Sequence, residues 1–94
     1  MIVKNFKENI IKELVSMYDG NKDAVQARFD ELDVAFFDEG YALTPLALYG
    51  YIYLELKNIP DLVCYTFMKL CNLEGESSVM NILDLFDEKF VKED

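Results

Sequence analysis

YALTPLALYGYIYLEL, residues 41–56, holds no charged side chain between Tyr41 and Leu54, and the rest of the chain must pack around it. Thr44 before Pro45 marks a helix start. The hydroxyl can accept from an early backbone N–H, and proline at the first position gives up a donor that has no partner there. The helix is expected from Pro45 to about Lys57, with Asn58 as a left-handed cap and Pro60 preventing continuation. Leu46, Tyr49, Tyr53 and Leu56 occupy one side, and Ala47, Leu48 and Ile52 cover much of the rest, the pattern of an enclosed helix. A bilayer span needs about 20 consecutive apolar residues, and Pro45, Gly50, Glu55 and Lys57 interrupt this run. Gly50 costs about 1 kcal/mol against alanine in a helix interior, so a neighbouring helix is expected to cross against its bare backbone. Tyr49, Tyr51 and Tyr53 are separated by turns of about 200° and cannot share a face. At least one ring, assigned to Tyr51, is expected at the surface or on a partner, although a core tyrosine with its hydroxyl at the edge is the commoner arrangement.

The flanking sequence reads as four more helices. Val3, Phe6, Ile10, Leu14 and Met17 repeat at steps of three and four, which predicts a helix over 2–18 closed by Asp19-Gly20-Asn21. Val25, Phe29, Leu32 and Phe36 predict a second from Lys22 to Leu32, with the same stripe reaching Phe36. Leu32, Val34 and Phe36 also alternate as a short strand would, but no second alternating run lies nearby to pair with it. Phe37 to Gly40 is expected as the connection. A fourth helix is expected over 61–73, apolar on most of its circumference, and a fifth over 79–91, capped by Ser77 or Ser78, with Val79, Ile82, Leu83, Phe86 and Phe90 in a stripe. The expected fold is one all-α domain over 1–94, a compact bundle of about five short helices with the third and fourth central.

The net charge is −9 and is unevenly placed. Residues 23–56 hold seven acids and one arginine, residues 74–94 seven acids and two lysines, while 1–22 and 57–73 each total +1. One acidic block is Asp30, Glu31, Asp33, Asp38 and Glu39; the other is Asp84, Asp87 and Glu88 with Glu93 and Asp94. Nothing clusters Lys or Arg as nucleic-acid phosphates or an anionic membrane would require, so neither is an expected partner. The opening MIVKNFKENI has no uninterrupted apolar run of the secretory kind, and the expected location is the cytoplasm. Cys64 and Cys71 lie seven residues apart, about 10 Å along a helix, beyond disulfide reach, and read as small buried apolar residues.

No constellation for catalysis is present. The chain has no histidine, and Gly20, Gly40, Gly50 and Gly75 are too scattered for a phosphate loop. DGNKDAVQARFD, residues 19–30, places acids and an amide at some calcium-loop positions. Ala24 stands where glycine is required, and Asp30 where a bidentate glutamate is, so a helix end followed by a helix start explains it better. No metal or cofactor is expected.

The sequence thus points to a non-enzymatic protein-binding module. Carboxylates on rigid helices, together with Tyr51, would cover a basic surface on another protein, such as the nucleic-acid groove of an enzyme. In size and charge the chain is similar to nuclease-immunity proteins and phage-coded nuclease inhibitors, without a shared motif. The alternative is a structural homodimer that uses surplus aromatic side chains, its acid serving only solubility.

Overall fold

A computed structural model describes residues 6–73 and 76–91, with side chains from Asn9 to Leu73 and from Ser78 to Val91. Five helices follow one another: α1 (Phe6–Met17), α2 (Lys22–Asp38), α3 (Pro45–Leu56), α4 (Asp61–Leu73) and α5 (Glu76–Phe86), the last continuing into a π-helical turn, Asp87–Val91. No strand occurs among the described residues. Residues 1–5, with Val3 of the expected first stripe, lie outside them.

The helix starts follow the cap chemistry. Thr44 Oγ1 accepts from the Ala47 N–H at 3.3 Å and Asn21 Oδ1 from the Ala24 N–H at 3.1 Å. Three ends close by one device, in which an N–H five residues along reaches back to a carbonyl: Gly20 to Val15 (2.7 Å), Tyr41 to Phe36 (2.9 Å) and Ile59 to Leu54 (3.1 Å). The device needs a left-handed residue, supplied at the end of α3 by Asn58 at φ 64°.

Three boundaries differ from expectation. α2 continues to Asp38, so 32–37 is helical and Phe37 lies in the last turn, because no glycine or proline occurs before Gly40. α5 starts at Glu76, and Ser77 and Ser78 lie inside it instead of capping it. Gly75 is the last residue there that disfavours a helix. The regular α-helix then ends at Phe86, and the wider π turn carries Phe90 back against Phe86, ring centroids 5.5 Å apart.

α3 is the hub, packing against α1, α2, α4 and α5, and its contact with α4 is the most extensive in the fold. Leu46, Ala47, Leu48, Tyr51, Ile52 and Leu54 are all buried. Gly50 is where the fit is closest. A Cβ there would stand 2.8 Å from Phe67 Cζ on α4 and 3.4 Å from Leu83 Cδ2 on α5. The bare backbone is therefore what admits the Phe67 ring, as the sequence implied. α4, by contrast, is not enclosed. Cys64, Phe67, Met68 and Cys71 are buried, but Leu62, Leu70 and Leu73 stand exposed. Among the described residues only α3 and α5 pack substantially on α4, leaving its far side open.

Candidate functional site

The buried stripe of α2, Val25, Leu32 and Phe36, faces α3, and this orients everything opposite it. Residues 30, 34 and 37 fall in a line along the outer face at helical spacing. Asp33 lies to one side of that line and Glu31 and Asp38 to the other. Val34 is 60% and Phe37 72% exposed. All four carboxylates are exposed as well. The outer face of α2 is thus an apolar pair with a carboxylate rim. Phe37 is the residue that sequence reasoning missed by assigning it to a loop. The signal was available, since Val34 and Phe37 lie opposite the stripe that buries the helix.

Arg28 sets the pose of this helix. Its Nε donates to Glu55 Oε1 of α3 at 2.9 Å and its Nη2 to Glu55 Oε2, while Nη1 reaches Glu31 at 2.8 Å. The half-buried two-pronged pair fixes α2 against α3, and the Glu55 hydrogen bonds hold the guanidinium protonated well above its ordinary range. At the end of α2, Glu39 Oε1 accepts from the Tyr65 hydroxyl at 2.6 Å, tying the first acidic block to α4. Between α2 and α4 lies a shallow open groove of about 420 Å³, lined by Arg28, Tyr51, Glu55, Asp61, Leu62 and Tyr65.

The second acidic block does not present a continuous face. Asp84 is half-buried and Glu88 exposed, but Asp87 accepts from the Tyr53 hydroxyl at 2.5 Å, joining the π turn to α3. Glu93 and Asp94 lie outside the described residues. Tyr51 is only 8% exposed and packs edge-on against Phe36, centroids 5.1 Å apart. It is also one of the residues lining the groove. Tyr49 packs at a tilt against Phe29, centroids 4.9 Å apart, so each of the three tyrosines is engaged by another part of the chain.

Burial raises the proton affinity of the interior titratable groups. The Tyr51 phenol is pushed up to about 12, the Cys64 thiol to about 11 and the Cys71 thiol to about 12. Both cysteines are free and buried, and Cys64 donates to the Ile59 carbonyl at 3.5 Å. A raised folded-state pKa contributes stability that is fully present below the unfolded-state value and lost as pH rises through the folded one. The melting temperature is therefore expected to hold up to about pH 9 and fall steadily towards about pH 12, where these groups ionise. A thermal melt at each pH checks this, and a flat profile across that window would show the groups to be solvated.

Residues 19–30 form no calcium loop, because α2 begins at Lys22 and Asp30 is in its middle. Among the described residues no group of three or more Cys, Asp or Glu side chains is arranged to hold a metal ion. No described helix is long and apolar enough to cross a membrane.

Fold and surface together define an all-α five-helix bundle displaying one acid-rimmed apolar helix face. Comparison with protein-family models, curated proteins and solved structures gives no match.

Proposed function

We propose that the chain is a non-enzymatic protein-binding module whose α2 outer face covers a basic surface of a partner protein. The observation that carries this reading is the pair Val34 and Phe37, both exposed and ringed by Asp30, Glu31, Asp33 and Asp38. An apolar anchor surrounded by charge is the arrangement of an interface centre and rim, with the ring supplying the hold and the carboxylates steering the encounter. The Arg28–Glu55 pair supports it by presenting the face on a fixed helix. A groove that normally receives nucleic-acid phosphates is the kind of surface these carboxylates match. Two free, buried thiols agree with action in a reducing compartment such as the cytoplasm.

The test is capture from the source cell's lysate at low salt by the immobilised chain and by two variants. Asp30→Lys, Glu31→Lys and Asp33→Lys combined should abolish capture of the wild type's partner. Each exposed change should alter fold stability by less than about 0.5 kcal/mol. Phe37→Ala should weaken the same interaction by about tenfold or more. A triple variant that still captures the partner contradicts the proposal.

A further inference from the structure

The exposed side of α4 has the opposite character to that of α2. Leu62, Thr66, Lys69 and Leu73 follow one another at steps of four, three and four, a single line along the helix. Leu62 and Leu73 are each 78% exposed and Leu70, beside the line, 40%. Arg28 and Glu55, paired with each other, line the groove beside this face, and Glu39 meets Tyr65 there; the charges that α4 itself contributes to that side are Asp61 and Lys69. They are opposite in sign and eight residues, about 12 Å, apart along the axis. Lys69 lies over the Tyr65 ring, 5.3 Å from its centroid, so its ammonium is held at that edge.

We propose that this face binds a second copy of the chain, α4 against α4 in antiparallel array about a two-fold axis. The charge distribution selects the occupant. The chain carries −9 overall, and residues 23–56 and 74–94 hold most of the acid, so two copies repel one another through their acidic surfaces. Residues 57–73 total +1, and the line Leu62, Thr66, Lys69 and Leu73 holds no carboxylate. An isologous contact requires a self-complementary surface. A cation and an anion on the same edge of one helix provide that, because in an antiparallel pair like edges meet and Lys69 of each copy comes opposite Asp61 of the other. In that register Leu62 of each copy lies about 3 Å along the axis from Leu70 of the other, with Leu73 one turn beyond. The contact does not involve the outer face of α2, so it is independent of the partner proposed above, and a dimer would offer two such faces.

Sedimentation equilibrium of the full chain from about 10 µM to 1 mM tests this, a range suited to a contact built on one helix of each copy. The weight-average mass should climb from that of one chain towards that of two. Leu62→Glu combined with Leu73→Glu should hold it at one chain throughout, with an unchanged melting curve because both side chains are exposed. Lys69→Asp should weaken association by about tenfold, since one substitution breaks two symmetry-related pairs. Adding Asp61→Lys to Lys69→Asp should restore it. A wild type that stays monomeric overturns the proposal and leaves the face to a different protein. Association indifferent to the leucine variant overturns it too, as does a charge swap that fails to rescue.

Discussion

Gly50→Leu is expected to abolish folding at ambient temperature. The Cβ alone would sit 2.8 Å from Phe67 Cζ and 3.1 Å from Cε2, closer than carbon atoms pack, and a leucine adds three further carbons to the same space. Phe67 cannot swing aside, because it is fully buried and stands edge-on to Phe86 at 5.5 Å. Overfilling a tight core typically costs about 1–3 kcal/mol per small insertion and more for a larger one, against a total stability of about 5–15 kcal/mol. Gly50→Ala isolates the contact. Alanine gains about 1 kcal/mol in helix propensity, so a net loss measured by urea unfolding is the steric term showing through. An alanine variant more stable than wild type would mean that α3, α4 and α5 do not meet as closely as described.

Phe67→Ala is expected to have the second largest effect, about 3–5 kcal/mol, which in a chain of this size lowers the melting temperature by about 15 °C or more. The ring bridges three elements: Gly50 of α3, its own helix, and Phe86 at the end of α5. Removing it leaves a cavity that no exposed side chain can fill. The two positions should also be coupled. Gly50→Ala in a Phe67→Leu background should cost less than in wild type, because the smaller side chain gives the new methyl room. Strict additivity of the two changes would show that the ring and the glycine do not share the space.

Much of this fold is legible in the sequence because local signals and burial agree. Thr44-Pro45 and Asn58 bracket α3, and a glycine in the middle of a charge-free helix has to be matched by something large, which proves to be Phe67. The end of α2 is less legible because Leu32, Val34 and Phe36 satisfy the two-residue and the helical period at once. The lack of a second alternating run to pair with decides between them, and the absence of a breaker before Gly40 lets the helix run on to Asp38. The exposure of α4 is not legible at all. Leu62, Leu70 and Leu73 look like core by residue type, and they stay in solvent because the remaining helices are taken up in covering α3.

The site follows the same logic. The first acidic block stays together because Asp30, Glu31, Asp33 and Asp38 share a helix whose opposite face is buried. The second is divided because Asp87 falls where the chain winds into a π turn and meets Tyr53, a tertiary contact with no local signature. Tyr51 is drawn inward for a related reason, since the longer α2 brings Phe36 against its ring. Phe37 is missed because the expected connection starts directly after Phe36, whereas α2 continues two residues beyond its stripe to Asp38.

The measurement closest to the central claim is the salt at which a partner captured by the wild-type chain is released, read beside the Asp30→Lys, Glu31→Lys, Asp33→Lys variant. Screening shortens the reach of charge from about 10 Å at 0.1 M salt to about 3 Å at 1 M. Release of a basic protein at moderate salt, and no capture by the variant, is the result expected of an acid-rimmed face that docks by charge and holds by Phe37. Capture that persists through 1 M salt, equally in wild type and variant, would contradict it.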